Sequence, residues 1–250
     1  MSMIMAFCGI LFCVDGTTNP NVIIVHDEAG PMAVLAEALA EKGGCAVASV
    51  EQNELPDDLS GYDAVFNFVH KPMTERAERL CIEYARDGGR HILLHHAISS
   101  SKRNNPKLLA ELRAEVPPGR KPANGFYVER GTLTLANLAP GHFITSNGIR
   151  YASKTKYPTV DGQFVERDAI TFENTEIFLN LKFAPCAQRT VLYGITFRDA
   201  DGVDFAQPVG GWVMRTGNGY SFYFQAGHEA DDFSNPIYQQ VLINCVLWKP

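Results

Sequence analysis

The sequence predicts an α/β fold in which a parallel sheet is covered by helices on both faces. Short apolar runs, typical of strands buried on both sides, alternate with segments of about 12 residues whose apolar positions repeat every three or four residues. Paired glycines at 43–44 and 88–89 end the two helical segments. Because strands that alternate with helices form right-handed βαβ units, helices are expected on both sides of the sheet.

Four strands are predicted in the first half of the chain, at residues 22–26, 45–50, 63–69 and 90–95. The helix after the first strand has Pro31 at its first position, where the missing N–H is not needed, and its apolar residues lie on one face. Thr74 is a preferred capping residue and is predicted to begin the second helix. Amphipathic helices of this kind typically pack their apolar face against a sheet.

In the middle of the chain the pattern changes to short β-rich runs separated by Gly, Pro and Asp, which predicts added strands and long loops. These runs are residues 126–135, 164–172, 176–181 and 190–197. Residues 209–215 and 220–226 flank Thr216-Gly217-Asn218-Gly219, a strong signal for a β-hairpin. Ser234 or Asn235 is predicted to cap a final helix.

Composition and charge indicate one folded domain rather than a disordered or nucleic-acid-binding chain. The 250 residues are 46% hydrophobic and 20% charged, which is enough apolar material for a sizeable core. The formal net charge is −6 and the longest basic run is Lys102-Arg103, so nucleic acid is not an expected partner. Because no linker rich in Pro, Gly or Ser divides the chain, residues 22–250 are predicted to form a single domain.

Residues 1–21 precede this domain and are predicted to be an extension or an edge strand. Residues 3–14 are apolar, but no Lys or Arg comes before them, no small-residue cleavage site follows, and they are too short to span a bilayer. The six cysteines show no C-x-x-C spacing, and Cys45, Cys81 and Cys245 fall at positions suited to small buried side chains. A reduced, cytoplasmic protein with no membrane partner is therefore expected.

Histidines follow four of the predicted strands, which is the most informative feature of the sequence. They are His26, His70, the pair His95 and His96, and His228. In an open parallel sheet, ligands bind in the crevice outside the carboxyl ends of the strands, so these side chains are expected to converge there. Because side chains alternate along a strand, only one of the adjacent pair is expected to face the crevice, and His96, nearer the loop, is preferred.

Two kinds of chemistry suit such a cluster. Imidazoles titrate near neutral pH and act as general acids and bases. Two or three imidazoles with a carboxylate also bind a divalent metal such as zinc, for which His26, His96 and His228 are the candidate ligands. The H-E-x-x-H motif is absent. The residues alone therefore leave open acid/base chemistry, metal binding and the alternative that each histidine is solvated or satisfied in the core.

Several enzyme classes are excluded by missing motifs. The sequence has no G-x-G-x-x-G for a dinucleotide, no G-x-x-x-x-G-K-[ST] for a nucleoside triphosphate and no G-x-S-x-G for a serine hydrolase. After RHILL the chain continues His-His-Ala, so no cysteine sits at the sharp turn where a thiol nucleophile is expected. Glutamine hydrolysis by a thiol is therefore not expected.

The carboxyl-terminal part of the chain carries a dense set of motifs, namely Pro208, Trp212, Gly217-Asn218-Gly219, Gly227-His228, Phe233, Asn235-Pro236 and Trp248. Earlier segments add Gly88-Gly89 before ILLHHA, and the run Asn174-Thr175-Glu176-Ile177-Phe178. Over residues 22–248 the chain resembles the ThuA-like (trehalose utilization) family. It departs from the usual family residues His, Tyr, Lys and Arg at Tyr157, Phe178, Asn218 and Tyr220.

The resemblance implies a flavodoxin-like three-layer α/β/α sandwich with a mostly parallel central sheet and added β-strands in the middle of the chain. This architecture is similar to that of class I glutamine amidotransferases without their cysteine, in agreement with the missing thiol. The implied role is in carbohydrate metabolism, with no settled reaction. Matched residue by residue, the pocket positions of the family fall on His96, Glu176 and His228.

Two hypotheses follow for the function. The first is an enzyme that acts on a sugar or disaccharide derivative, with catalytic residues His96, Glu176 and His228. Its expected substrate-binding residues are His26, His70, His95 and Trp212, of which Trp212 stacks on the sugar unless its ring belongs to the core. The second is a non-catalytic module that binds a sugar or a metal in the same crevice. A small carbohydrate is the expected partner, and a homodimer is expected from the frequency of symmetric oligomers.

Overall fold

The computed structural model describes residues 19–117, 127–199 and 201–250. Most of the predicted extension or edge strand at 1–21 lies outside these residues, together with Cys8 and Cys13. Within the described residues, the first strand begins at Asn21. None of the helices in the described ranges is long and apolar enough to cross a membrane.

Twelve strands and six α-helices are present in these ranges. The strands are β1 (Asn21–His26), β2 (Ala46–Glu51), β3 (Ala64–Phe68), β4 (Arg90–Leu94), β5 (Ala114–Glu115), β6 (Tyr127–Asn137), β7 (Ser153–Pro158), β8 (Phe164–Phe178), β9 (Lys182–Phe183), β10 (Arg189–Arg198), β11 (Asp204–Thr216) and β12 (Gly219–Phe224). The helices are α1 (Ala29–Glu41), α2 (Glu75–Arg86), α3 (Pro106–Glu111), α4 (Phe143–Ser146), α5 (Ala230–Ser234) and α6 (Pro236–Leu247). Two short 3-10 helices, His95–Ile98 and Ser100–Asn104, follow β4.

Ten strands form one mixed sheet in the order β2-β1-β3-β4-β12-β11-β10-β6-β8-β7. The four pairings from β2 to β12 are parallel, and the five from β12 to β7 are antiparallel. The fold is therefore α/β, but the prediction of a mostly parallel sheet is corrected to a mixed sheet. Between β6 and β12 the described chain holds no helix longer than the four-residue α4, which is too short for the crossover that parallel strands require.

Capping side chains begin two of the helices, as predicted. The Thr74 hydroxyl accepts a hydrogen bond from the Ala77 N–H at the start of α2. The Asn235 side chain accepts from the N–H groups of Ile237 and Tyr238 at the start of α6. These local signals fix where the two helices begin.

Hydrophobic cores lie on both faces of the parallel strands. Ile24 of β1 packs in a cluster with side chains of α1 and α6, whereas Ile23 and Val25 of the same strand pack with those of α2 and α3. Because both faces of β1 are covered, its residues 22–25 are all apolar and buried, as the continuous run predicted. The free thiols of Cys45, Cys81 and Cys245 are buried, in agreement with their predicted place in the core.

Strand β8 is long and bent, and its last residues lie near the parallel part of the sheet. It merges the strands predicted at 164–172 and 176–181 through Asn174, whose φ of 55° is left-handed. Its pairing with β6 shifts register on both sides of Gly131, and such irregularities bend a strand. The end of β8 therefore lies beside the end of β12, where the Gln225 side-chain amide donates to the Phe178 carbonyl oxygen.

Candidate functional site

The carboxyl ends of the parallel strands bring the predicted histidines to one edge of the sheet. His26 is the last residue of β1, and the other four follow β3, β4 and β12. The imidazole of His96 lies at the centre of these four. Its ring centroid is 4.0, 4.4 and 4.9 Å from those of His70, His95 and His228. The spacing of the strands therefore collects four imidazoles in direct contact.

Both members of the adjacent pair face this edge, which corrects the prediction that only His96 does so. Strand β4 ends at Leu94, and the next residues form a turn of 3-10 helix instead of continuing the strand. His95 adopts a left-handed φ of 39°. The alternation of side chains along a strand, on which the prediction depended, does not extend to these two residues.

One carboxylate joins the histidines from the bent strand β8. Glu176 Oε2 lies 2.9 Å from Nε2 of His95 and 3.3 Å from Nε2 of His96. His228 Nδ1 lies 3.7 Å from the same oxygen. His96, Glu176 and His228, the residues matched to the family pocket, are therefore placed around a single oxygen atom together with His95.

Backbone and aromatic groups hold the His95 ring in one orientation. His95 Nδ1 lies 2.5 Å from the carbonyl oxygen of Gln225, and because a carbonyl oxygen only accepts hydrogen bonds, Nδ1 carries a proton. The ring stacks on Phe178, with centroids 4.4 Å apart and planes inclined by 21°. These contacts leave Nε2 pointing at Glu176.

Burial and neighbouring charges set the protonation of the site. Burial, aided by the charges of His95 and His70, lowers the pKa of His96 to about 2, against the opposing effect of its hydrogen bond with Glu176. Burial also lowers the pKa of His228. For Glu176, burial acts to raise the pKa, but the contacts with the two adjacent histidines outweigh it and hold the pKa well below its usual range. Near neutral pH the site therefore presents neutral imidazoles at His96 and His228 beside an ionised carboxylate.

A buried lysine fixes the loop that carries His70. Lys102 Nζ donates to the carbonyl oxygens of Val69 at 2.5 Å and Lys71 at 2.8 Å. The Asp27 carboxylate accepts from the N–H groups of His70 and Lys71 at 2.6 and 2.7 Å. Burial lowers the pKa of Lys102 to about 7, and Asp27 opposes that shift. The loop is therefore held from two sides.

Two of the predicted site residues lie apart from this cluster. His26 is buried at the end of β1, and in the described part of the chain its Nδ1 has no hydrogen-bond partner. Trp212 is fully buried in the core on the α2 and α3 side, where the Arg189 guanidinium lies 4.9 Å from its ring centroid. The prediction that Trp212 stacks on a sugar is therefore corrected to a core residue, because neither ring face is open to a ligand.

Two groups of side chains bring potential metal-ligand atoms within 4.8 Å of one another. One consists of His95, His96, Glu176 and His228, and the other of Glu28, His70 and His96. The first contains two of the three predicted metal ligands, His96 and His228, and leaves out His26. Neutral imidazole and ionised carboxylate are the forms in which these side chains bind a metal.

Comparison with known proteins places the chain in a family. The family model ThuA, described as trehalose utilisation, matches residues 19–249. The chain belongs to the ThuA family. Membership associates this ThuA-family protein with carbohydrate utilisation, and a comparison with curated proteins finds no match.

Solved structures share the fold at low sequence identity. A ThuA-like protein from Bacteroides uniformis is 15% identical with a TM-score of 0.60, over 94% of this chain and 93% of that chain. A cytoplasmic protein from Salmonella typhimurium is 14% identical with a TM-score of 0.60, over 90% and 97% of the two chains. A β-galactosidase from Bacillus circulans contains a region with a TM-score of 0.56 and 11% identity, which covers 88% of this chain and 30% of that enzyme. At these identities the similarity establishes the fold.

Lys102 and Gln225 contribute to the site of this ThuA-family protein but were not predicted from the sequence. Lys102 belongs to a polar segment that resembles an ordinary solvated loop, yet its side chain is fully buried. Gln225 acts on His95 through a backbone carbonyl, which no side-chain pattern encodes. Asp27 and Glu28, which follow His26 in the sequence, both contact the His70 segment.

Proposed function

We propose that this ThuA-family protein acts on a sugar or disaccharide derivative by acid/base chemistry at the carboxyl ends of the parallel strands. The observation that carries the proposal is the contact of one Glu176 oxygen with His95, His96 and His228. Family membership supplies the substrate class, because the family is described by trehalose utilisation. The missing cysteine after β4 makes a thiol-dependent glutaminase unsuitable as an alternative.

The groups at this site suit the removal of a proton from the substrate. With lowered pKa values, His96 and His228 are neutral near neutral pH and have a free electron pair on one ring nitrogen. Glu176 is ionised and stabilises the imidazolium that forms when either ring takes up a proton. A sugar hydroxyl, or a carbon next to a sugar carbonyl, is the type of group from which such a base removes a proton.

The open side of the cluster determines where a substrate approaches. His95 and His96 are almost fully buried, whereas the His228 side chain is 27% exposed and that of His70 is 55% exposed. Glu229 lies beside His228, with its Oε1 3.5 Å from Nε2 of that ring. We therefore assign His228 and Glu176 to the reacting part of the substrate, and His70 to the rim.

The experiment is product analysis with matched glutamate variants. Purified protein is incubated with trehalose, other disaccharides and keto-disaccharides, and products are followed by NMR. Glu176→Gln is expected to abolish turnover. Glu173→Gln, an exposed glutamate on the same strand, is expected to leave turnover unchanged. Binding of a sugar without any product would instead support a non-catalytic binding module, which the deep burial of His95 and His96 favours.

A further inference from the structure

The two ring nitrogens of His95 both face groups that accept hydrogen bonds. Nδ1 of this ring carries a proton, because it lies 2.5 Å from the Gln225 carbonyl oxygen. Nε2 lies 2.9 Å from Glu176 Oε2, and a carboxylate oxygen accepts hydrogen bonds. The two atoms therefore need a proton or a cation between them.

The other contacts of the same oxygen decide between a proton and a cation. Glu176 Oε2 also lies 3.3 Å from His96 Nε2 and 3.7 Å from His228 Nδ1. A proton on His95 Nε2 accounts for one of these contacts, whereas a single cation accounts for all three at once. His228 Nδ1 is buried and has no hydrogen-bond partner in the described chain. Three imidazole nitrogens thus converge on one carboxylate oxygen.

The distances match those between the ligands of a tetrahedral ion. Zinc bonds of about 2.0–2.1 Å place the ligand atoms of a tetrahedral site about 3.3–3.4 Å apart. The three distances from the Glu176 oxygen are 2.9, 3.3 and 3.7 Å, which lie around that value. The hydrogen bond from His95 Nδ1 to a backbone carbonyl is also the usual support of a metal-binding imidazole, since it orients the ring and frees the opposite nitrogen.

We infer that His95, His96, Glu176 and His228 bind one divalent cation, and that the nitrogen-rich ligand set favours zinc. This inference deepens the proposed function, on which it rests for the identity of the substrate. A bound ion would act as a Lewis acid toward a sugar oxygen that adds as a fifth ligand, and the ring nitrogens that hold the ion would then not serve as bases. His228 is the most exposed ligand and the farthest from the Glu176 oxygen, so the substrate reaches the ion from the side of His228.

The experiment is titration of chelator-treated, full-length protein with ZnCl₂. Calorimetry and elemental analysis are expected to give one zinc per chain. Co²⁺ in its place is expected to show the intense visible bands of a tetrahedral site. Glu176→Gln and His228→Gln each remove one ligand and are expected to weaken Zn²⁺ binding by more than about tenfold. Glu173→Gln is the control and is expected to bind Zn²⁺ like the wild type. Circular dichroism identifies any variant that fails to fold.

Three results would overturn the inference: no zinc bound at one per chain, equal affinity in the wild type and both folded ligand variants, or Co²⁺ bands of an octahedral site. The proposed function is tested separately by turnover. A zinc-free protein that converts a sugar at the full rate overturns the Lewis-acid role of the ion and keeps the acid/base proposal. A protein that binds one zinc at this site but converts none of the sugars overturns the enzyme proposal and keeps the metal site.

Discussion

The imidazole of His70 stacks on that of His96, with ring centroids 4.0 Å apart and planes inclined by 8°. His70 is half-exposed and its partner is buried, so one ring shields the other from solvent. Hydrogen bonds from Lys102 and to Asp27 hold the loop after β3, which carries the His70 ring of this stack. A small displacement of that loop would uncover the centre of the histidine cluster.

Replacement of His70 by Ala is expected to raise the pKa of His96. The substitution admits water to the buried ring and removes a neighbouring charge, and both changes favour the protonated form of His96. NMR titration of the imidazole signals in chelator-treated protein measures the shift. His142→Ala, at the start of α4, serves as the control. An unchanged pKa of His96 in His70→Ala would show that the stack does not shield it.

The Glu176→Gln variant is expected to lose activity while remaining folded. The amide keeps the shape of the carboxylate but removes its charge, so it stabilises neither an imidazolium nor a cation. The turnover number on a converted sugar is expected to fall by about 10²–10⁴-fold. Steady-state kinetics and circular dichroism measure the two effects. A variant with wild-type turnover would remove Glu176 from the reaction.

The protein is expected to lose stability as the pH falls below 6.5, in part through His91. Burial lowers the pKa of this β4 residue from 6.5 to about 3, so between these values the unfolded chain binds more protons than the folded one. The free energy of unfolding therefore rises with pH in this window, with a contribution from one such group of up to about 1.4 kcal/mol per pH unit. Urea unfolding at several pH values measures the slope, which is expected to be shallower in His91→Gln.

Replacement of Lys102 by Met is expected to destabilise the fold by about 2–4 kcal/mol, because it leaves buried carbonyl oxygens of the loop after β3 without donors. Those oxygens belong to Val69 and Lys71. Lys71 is exposed, so Lys71→Met serves as the control. Its free energy of unfolding is expected to stay within about 0.5 kcal/mol of that of the wild type. Urea unfolding at fixed pH compares the two variants. Equal stabilities would show that water replaces the ammonium group at no cost.

Replacement of Gly227 by Ala is expected to distort the segment that carries His228. Its φ of 102° disfavours any side chain, and an added Cβ would lie 2.6 Å from Cζ of Phe233. A loss of about 2 kcal/mol or more in the free energy of unfolding is expected. In contrast, Gly30→Ala lies in α1 with open space around it, and a gain of up to about 1 kcal/mol is expected. Thermal unfolding of both variants tests the pair.

The parallel half of the fold was predictable because its signals are local. The apolar run 22–26 is a strand covered on both sides, and the side chains of Thr74 and Asn235 begin helices where they were predicted to do so. The direction of the middle strands was not predictable from these signals. It depends on which strands become neighbours, and a strand such as β8 pairs with β6 and β7 through contacts far apart in the sequence.

The residues of the candidate site also fall into those that the sequence predicts and those that only the tertiary structure brings in. His70 and His228 follow strands, and the sheet edge collects them for the reason the sequence suggested. Glu176 is 80 residues from His96, and it was found only through family resemblance, because the bend of β8 that delivers it is a tertiary feature. The inward turn of His95 depends on a left-handed backbone angle that periodicity does not encode.

The position of β12 affects the order in which the sheet assembles during synthesis. This strand lies between β4 and β11 and is the only link between the parallel and antiparallel halves of the described sheet, yet it is the last strand to leave the ribosome. Until it pairs, the imidazoles after β4 and the carboxylate on β8 belong to separate pieces of sheet. Chains cut short before residue 219 therefore lack both the strand and His228. The four side chains of the cluster therefore come together only after β12 has been made.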